Sequence, residues 1–219
     1  MSGRPFFNFA YNSPDTALDT ASILSRTSLN TQRSPSAMIA SSLFSKVNQI
    51  GLVVHKLEPW LQRYCAMGIG PWWVKTYAAP ELTDMRVRGK PAHYSMRLAL
   101  AEVGAVQWEL IEPLTGPSIY HEHLNQHGEG FHHVHVAFNG YCNGFLSEMV
   151  KRNSPPLMEG TFHGSRFTYF DTIGTLGVYV EATQTPSGFV RPAPDYIFPR
   201  DASPNALGAG AVRRGAEKW

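Results

Sequence analysis

The sequence predicts an α+β fold in which two copies of a strand-helix-strand-strand-strand module form one curved, cup-shaped mixed sheet. Predicted strands alternate with short helices, and their order occurs twice between residues 46 and 185. Four of these strands have one apolar row of side chains and a second row that carries a Gln, Glu or His. The 219 residues are 43% hydrophobic, which is sufficient for one well-packed domain.

Module one, residues 46–115, begins with the strand VNQIGLVVH. A helix follows from Glu58 to Met67 and ends at Gly68 and Gly70. Three strands are then predicted in WWVKTYA, HYSMRLALAEV and VQWELIEP, and a long loop around Ala78 to Pro91 lies within this set.

Module two, residues 129–185, repeats this order after a connecting helix near Ser118 to Gln126. The strand FHHVHVAF precedes a helix from Cys142 to Arg152, and the strands PLMEGTFH, RFTYFDT and LGVYVEA follow. The modules also agree in their polar residues. The opening strands carry Gln49 and His133, and the closing strands carry Glu109 and Glu181, which indicates an internal duplication.

Two extensions flank the predicted domain, which covers residues 46–185. Residues 1–45 are rich in Ser, Thr, Asn and Pro and have no helix or strand period, so a flexible N-terminal arm is expected. Arg26 and Arg33 resemble part of a mitochondrial targeting peptide, but Asp15 and Asp19 favour an ordinary or dimer-clasping arm. Residues 186–219 are proline-rich and are expected to form an irregular tail.

Composition favours a small molecule as the partner of this protein. The formal net charge of +2 arises from mixed signs without a basic run, so nucleic acid and anionic membrane surfaces are not expected partners. The two cysteines form neither a disulfide framework nor a zinc-binding pair. No apolar run is long enough to span a membrane and no secretory signal is evident, so a soluble, cytoplasmic protein is expected.

The polar rows of the four strands predict a cavity that contains a metal ion. A row facing water would carry Lys, Thr and Ser, whereas these rows carry Gln49, Glu109, His133 and Glu181 among small and apolar residues. Such groups could not be buried without a partner, because unpaired buried charges are costly. One divalent cation would satisfy them, and nitrogen and oxygen ligands suit zinc, manganese, cobalt, nickel or iron.

The stretches NQIGLVVHKLEPWLQRY, VQWELIEPLTGPS, GEGFHHVHVAF and FDTIGTLGVYVEATQ resemble the vicinal oxygen chelate superfamily, which includes glyoxalase I, methylmalonyl-CoA epimerase, extradiol dioxygenases and bleomycin-resistance proteins. The resemblance covers roughly Val47 to Gln184. It implies paired βαβββ modules in a cup-shaped sheet around one metal ion, the glyoxalase/bleomycin resistance/dioxygenase fold.

The resemblance implies that Gln49, Glu109, His133 and Glu181 are the metal ligands. This set is similar to the zinc site of eukaryotic-type glyoxalase I, so zinc is the preferred ion. His132 falls on the opposite, apolar row and is expected to be packed or at the surface. His135 is expected to point into the cup, either for substrate contact or proton transfer, or as a hydrogen-bonding neighbour of the ligands.

Two departures from the family bear on the substrate and on the catalytic base. The positions that anchor glutathione in glyoxalase I are Val53, Pro113 and Glu129 here, so glutathione is not an expected substrate. The position of the epimerase base is Ala92, although the adjacent His93 or a one-residue shift in the loop would restore a base.

The resemblance implies a metal-dependent isomerase or epimerase in which a metal-stabilised enolate or oxyanion forms on a carbonyl compound. Glu181 is the first candidate for the base, and His135 and His93 are alternatives. A lyase or hydrolase of the glyoxalase or lactone type is the main alternative. A ring-cleaving dioxygenase is less favoured because Gln49 replaces a histidine ligand, and a non-catalytic binding protein is disfavoured by the complete ligand set.

Three further residues are candidates for substrate contact. Arg97 could bind a carboxylate or phosphate, and Trp73 and Tyr179 could line the pocket, although sheet packing is the alternative for most aromatic residues here. Because exposed edges of such sheets often associate, a homodimer is expected.

Overall fold

The computed structural model describes residues 43–138 and 142–202. Within these residues the α+β class is confirmed, with eleven strands and four helices. In chain order they are β1 (Phe44–Val53), α1 (Leu57–Ala66), β2 (Trp72–Tyr77), β3 (Leu82–Val87), β4 (Lys90–Pro91), β5 (Ser95–Val103), β6 (Val106–Thr115), α2 (Ile119–His127), β7 (Gly130–Phe138), α3 (Cys142–Lys151), β8 (Pro156–Phe162), β9 (Ser165–Phe170), α4 (Ile173–Leu176), β10 (Tyr179–Gln184) and β11 (Tyr196–Phe198).

All eleven strands of the described residues belong to one sheet, in the order β11-β2-β5-β6-β1-β7-β10-β9-β8-β3-β4. The two predicted modules meet where β1 pairs antiparallel with β7. In each module the opening strand pairs in parallel with the closing strand, β1 with β6 and β7 with β10. The predicted cup is therefore an unclosed sheet with the module boundary near its centre.

Strand register repeats between the two modules. Gln49 pairs with Gln107, and Gly51 pairs with Glu109. In module two, His133 pairs with Tyr179 and His135 pairs with Glu181. Gln49 and His133 therefore occupy equivalent positions, and so do Glu109 and Glu181, as the internal duplication predicts.

Each helix of the two modules covers the outer face of its own half-sheet. Leu57 and Leu61 of α1 pack with Leu110 of β6, and Phe145 and Met149 of α3 pack in the same way with β10. Burial of these apolar side chains, at about 1.5–3 kcal/mol each, provides most of the stabilisation of the layer. The opposite row of each strand is left to face the concave side of the sheet.

The pairing of β1 with β7 contains irregularities that strand alternation alone does not reveal. The register shifts at Asn48 on β1 and at His132 on β7, where one strand has an extra residue. A bulge of this kind interrupts the alternation of side chains between the two faces. As a result, Asn48 lines the same cavity as Gln49, and the rings of His132 and His133 are in contact.

The predicted loop at Ala78 to Pro91 is instead largely a β-hairpin. Its strands β3 and β4 pair with each other, and β3 pairs antiparallel with β8 of module two instead of with a strand of module one. Leu82 and Met85 are buried in the core of that region. The prediction was wrong because Pro80, Gly89 and several charged residues obscure this apolar pair in the sequence.

The C-terminal extension also contains a strand. Residues 185–195, which we call the strap, have no regular structure, and β11 then pairs antiparallel with the edge of β2. The strap begins at β10 and ends at β2, and the strands β7, β1, β6 and β5 lie between them in the sheet. It therefore crosses the width of the cup, and Phe189 and Arg191 line the cavity. The sequence predicts an irregular tail over residues 186–219, whereas Tyr196–Phe198 forms a strand, and residues 203–219 lie outside the described residues.

The predicted N-terminal arm, residues 1–45, falls outside the described residues except for 43–45, and β1 already begins at Phe44. Of the two cysteines, Cys65 is a free thiol. None of the helices in the described residues has the length and apolar character needed to cross a bilayer.

Candidate functional site

The concave face of the sheet encloses a cavity of about 160 Å³. Side chains of both modules line it, from β1, β2, β5, β6, α2, β7, β8, β9 and β10, together with the strap. The lining residues are divided about equally between apolar or aromatic side chains and polar ones. A concave site of this kind can hold a small organic ligand.

Three potential metal ligands converge at this cavity from three strands. His133 Nε2 lies 3.2 Å from Glu109 Oε2 and 3.1 Å from Glu181 Oε2. One ligand atom from each of the three residues lies within 4.8 Å of the other two. The His133 side chain is fully buried, and those of the two glutamates are 7% and 9% exposed. Strand alternation accounts for this convergence, because β6, β7 and β10 each present a cup-facing row at the same level.

The buried ligand atoms lack ordinary hydrogen-bond partners. Neither Glu109 Oε2 nor His133 Nε2 has one within the described residues, because their short contacts are not aligned as hydrogen bonds. Each such atom costs about 1–3 kcal/mol when buried without a partner. Two carboxylates and an imidazole directed at a common point are a donor set that suits a divalent cation. The residues therefore fit the metal ion that the sequence predicts.

Gln49, the fourth predicted ligand, lines the same cavity and is held by a chain of amides. Its Nε2 donates to Gln107 Oε1 at 2.8 Å, and Gln107 Nε2 donates to Glu102 Oε1 at 2.7 Å. This arrangement fixes the orientation of the Gln49 carboxamide. The carbonyl oxygen, which takes no part in this chain of amides, is the atom through which such a side chain ligates a metal.

Gly51 makes room for His133. The two residues pair across β1 and β7, and the imidazole lies over the glycine. A Cβ atom at Gly51 would lie 1.8 Å from His133 Cε1 and 2.2 Å from Nδ1. No side chain larger than hydrogen is therefore compatible with this position of the ring.

The surroundings shift the pKa values of the two carboxylates in opposite directions. Burial raises the pKa of Glu109 above its ordinary value. Burial acts in the same direction at Glu181, but His133, His135 and Tyr169 outweigh it and lower the pKa of Glu181. Burial alone would lower the pKa of His133, yet its contacts with Glu109 and Glu181 raise it to about 9.

His132 supports the ring of His133. The two Nδ1 atoms lie 3.2 Å apart, and His132 is 1% exposed. Its ring also contacts Tyr120, Tyr179 and His123, with centroids 4.9–5.3 Å apart. The expectation that His132 is packed is confirmed, but the β7 bulge takes its ring out of the apolar row and against His133. A neighbour hydrogen-bonded to the second nitrogen of a ligating histidine fixes the ring orientation and tautomer.

The two remaining candidates for the base differ in position. His135 lines the cavity, and its Nε2 lies 3.0 Å from Thr183 Oγ1. His93 is exposed and does not line the cavity. Its backbone carbonyl instead packs against Gly116, so the structure does not place it beside the predicted ligands.

Arg97 does not line the cavity, so it is not placed to contact a substrate there. It is on the outer face of β5, where its guanidinium pairs with Glu112 at 2.8 Å and with Glu58 at 3.3 Å. Alternation explains the position, since Met96 and Leu98 line the cavity and the residue between them faces α1. The expected role of Arg97 in substrate binding is therefore replaced by a structural one.

Trp73 and Tyr179 lie just outside the cavity wall. Trp73 is 5% exposed and lies beneath the guanidinium of Arg191, which is 5.4 Å from the ring centroid. Tyr179 packs against His132. Sequence analysis missed Asn48 and Arg191, both of which line the cavity. Asn48 is displaced by a bulge and Arg191 lies in a segment without periodicity, so no strand pattern could have found either residue.

Comparison with known families gives one match. The family model described as the glyoxalase/bleomycin resistance protein/dioxygenase superfamily matches residues 48–169, which is more than half of the chain. No curated protein matches the chain in sequence.

Several solved structures are similar to this one. Methylmalonyl-CoA epimerase from Mycobacterium tuberculosis is 17% identical, with a TM-score of 0.47 over 65% of this chain and 89% of that chain. A hypothetical protein from Bacillus halodurans is 18% identical, with a TM-score of 0.47 over 67% of this chain and 98% of its own. A Streptomyces coelicolor methylmalonyl-CoA epimerase variant in complex with 2-nitronate-propionyl-CoA is 20% identical, with a TM-score of 0.47 over 64% and 96%.

Proposed function

This chain belongs to the glyoxalase/bleomycin resistance protein/dioxygenase superfamily, and on that premise we propose that it is a divalent-metal-dependent isomerase or epimerase acting on a small carbonyl compound. The observation that carries the proposal is the buried convergence of Glu109, His133 and Glu181 at the cavity. Two of the converging atoms have no hydrogen-bond partner within the described residues. A divalent cation at this point would supply the partner that these atoms lack.

Glu109, His133 and Glu181 would hold the ion together with the carbonyl oxygen of Gln49. Nitrogen and oxygen donors suit zinc, manganese, cobalt, nickel and iron, and zinc is our first choice because the set resembles the zinc site of eukaryotic-type glyoxalase I. When bound, a divalent ion would supply positive charge that stabilises the negative charge developing on a substrate oxygen next to the reacting carbon.

Two side chains are placed to move the proton of a carbon next to the substrate carbonyl. Glu181 and His135 pair across β10 and β7, and both line the cavity. We assign proton removal to a carboxylate oxygen of Glu181, which becomes protonated, and delivery of a proton to the substrate to the protonated imidazole of His135, whose Nε2 the hydroxyl of Thr183 contacts; proton exchange with solvent then resets both groups. An epimerase needs such a pair when the proton returns to the opposite face of the carbon.

Apolar side chains lower the polarity around this chemistry, because Tyr77, Leu98 and Phe167 line the cavity beside the polar groups. In such surroundings each charge interacts more strongly than in water, which favours formation of an anionic intermediate.

Metal content tests the first part of the proposal. Protein purified without a histidine tag is expected to contain about one equivalent of a divalent metal by mass spectrometry. Glu109→Ala and His133→Ala are each expected to lose it. Glu159→Gln is the control, because this mostly buried carboxylate pairs with Arg166 away from the cavity. A folded wild-type protein that contains no metal and cannot be reconstituted would disprove the metal-dependent mechanism.

Solvent exchange tests the second part. A panel of carbonyl compounds is incubated in deuterated water with the metal-loaded protein, and NMR follows deuterium at the carbon next to the carbonyl. Exchange that disappears in Glu181→Gln and after removal of the metal supports the isomerase. Bond cleavage in the panel without such exchange would instead support the lyase or hydrolase alternative.

A further inference from the structure

The strap brings a positive charge into the cavity that neither the fold nor the predicted metal site uses. Arg191 lines the cavity and stacks on Trp73, with its guanidinium carbon 5.4 Å from the ring centroid. It forms no ion pair with any carboxylate in the described part of the chain.

Two sets of contacts position Arg191: those of the chain segment that follows it, and that of its own guanidinium with Trp73. Beyond it, Asp195 N–H donates to the carbonyl of Val74 at 2.8 Å, and Asp195 Oδ2 accepts from Thr76 N–H at 2.8 Å. Lys75 Nζ lies 3.1 Å from Asp195 Oδ1. From below, the face of Trp73 supports the guanidinium, which is a favourable cation–π arrangement. Arg191 is thus a positioned group on an anchored segment.

The charges that line the cavity favour an anionic ligand. Three of its lining residues carry formal charge, namely Glu109, Glu181 and Arg191. A divalent ion held by the two carboxylates would cancel their charges, so that the guanidinium charge alone would remain. Arg191 is partly exposed, and an oxyanion that replaces the water around its guanidinium would gain charge-assisted hydrogen bonds there.

A second, independent feature indicates that the ligand is polar at more than one point. Asn48 is 4% exposed and lines the cavity, and neither its Oδ1 nor its Nδ2 has a hydrogen-bond partner within the described residues. The bulge in β1 turns this amide towards the cavity instead of away from it. A buried amide without partners is placed to form hydrogen bonds with an oxygen or nitrogen atom of a ligand.

We infer that the substrate is a small anionic carbonyl compound, and that Arg191 binds its oxyanion, a carboxylate or phosphate, while its carbonyl end faces Glu109, His133 and Glu181. The inference rests on the proposed function for the role of the carbonyl and extends it to the substrate class. Guanidinium binds both oxyanions through paired N–H donors, so the two share one recognition chemistry. The cavity of about 160 Å³ favours a compact molecule.

Titration calorimetry with charged compounds and their neutral esters measures the contribution of the anionic group apart from that of the carbonyl. Pyruvate, acetoacetate and levulinate carry the carboxylate at increasing distance from the ketone, and their methyl esters are neutral controls. The compound (2-oxopropyl)phosphonate tests the phosphate type of anion. For wild-type metal-loaded protein, we expect at least one anion to bind at least tenfold more tightly than its ester.

Three variants assign that preference to Arg191. Arg191→Gln is expected to abolish it, and Arg191→Lys is expected to restore part of it. Arg200→Gln is the matched control, because Arg200 follows the strap but stacks on Tyr196 at 4.4 Å and does not line the cavity. Thermal unfolding and metal content of each variant show whether fold and metal site are intact.

The outcomes separate the two proposals. An intact Arg191→Gln protein with an undiminished preference, or a wild type that binds no anion better than its ester, would overturn the inference and leave the metal site unaffected. If the wild type holds no metal, the proposed function fails. The same titrations on that protein then decide by themselves whether an Arg191-dependent preference exists.

Discussion

At the scale of single residues, the geometry of the site depends on a glycine. Replacing Gly51 by Ala would place a methyl group 1.8 Å from the His133 ring, which would have to move. We expect Gly51→Ala to remain folded, to lose about 1–3 kcal/mol of unfolding free energy through overpacking, and to lose most of its metal. Metal analysis and urea unfolding measure the two effects.

Gly144 provides the control for this substitution. It lies in α3, and a Cβ added there would meet no neighbouring element within 4 Å among the described residues, so Gly144→Ala is expected to keep the metal. Its stability should be unchanged or increased by about 0.5–1 kcal/mol, because alanine favours the helix. A Gly51→Ala protein with full metal content would show that the ring has another position from which it can bind.

Residue positions on the strands were predictable only where the alternation is regular. Glu109 and Glu181 lie on regular stretches of β6 and β10, and counting by two places both at the cavity. Asn48 and His132 lie at register shifts, where counting by two assigns the wrong face. A bulge depends on pairing with a distant strand, so the local sequence contains no reliable signal for it.

At the scale of elements, Glu112 joins the first helix to the sheet. Its carboxylate is 1% exposed, accepts from Leu57 N–H at 3.0 Å, and pairs with Arg97 and Lys56. Burial would raise the pKa of Glu112, but the hydrogen bonds from Arg97, Leu57 and Lys56 outweigh it and hold that pKa below 4.5. The charged carboxylate therefore stabilises the start of α1.

Glu112→Gln is expected to lower the free energy of unfolding by about 2–3 kcal/mol at pH 7. Because the pKa of Glu112 is lower in the folded state, its contribution is complete above the unfolded-state pKa and is lost as pH falls through the folded-state pKa. Urea unfolding should show the difference between wild type and variant closing below about pH 4. A difference that is constant between pH 7 and pH 3 would contradict this role.

Elements with strong local signals were predictable, and those formed by distant pairing were not. The helices α1, α2 and α3 begin and end within one residue of their predicted bounds. The hairpin β3–β4 and the strand β11 are two to six residues per strand and are stabilised by β8 and β2. These short strands contain or are flanked by prolines and charged residues, so they resemble loops until their partners are known.

At the scale of the whole molecule, the candidate ligands connect the two modules. Gln49 and Glu109 belong to module one, and His133 and Glu181 belong to module two. An ion bound by all four would stabilise the folded chain in proportion to its affinity, by about 4 kcal/mol at a thousandfold excess over Kd. For a protein of this size that corresponds to a rise in Tm of roughly 8–16 °C.

Chelation tests this link. Removal of metal with EDTA is expected to lower the Tm of the wild type, and addition of zinc should restore it. His133→Ala should unfold at one temperature with or without zinc, since it lacks the central ligand. Equal Tm values for loaded and stripped wild type would mean that the ion does not join the modules.

The edges of the sheet bear on the predicted homodimer. The two outermost strands, β11 and β4, are three and two residues long within the described part of the chain. Short edge strands disfavour pairing between sheets of two molecules. The homodimer stays a prediction, and its interface is better sought on the outer faces than along these edges.

The pairing of β11 with β2 also has a consequence for biosynthesis. While the chain leaves the ribosome from its amino end, Trp72–Tyr77 exposes unpaired backbone groups along one side until Tyr196–Phe198 emerges. The segment is rich in aromatic and β-branched residues, the type of strand that adheres to other nascent chains. Susceptibility to aggregation is therefore concentrated in the period of translation, and a chaperone that covers this segment would be needed only until the last strand has docked.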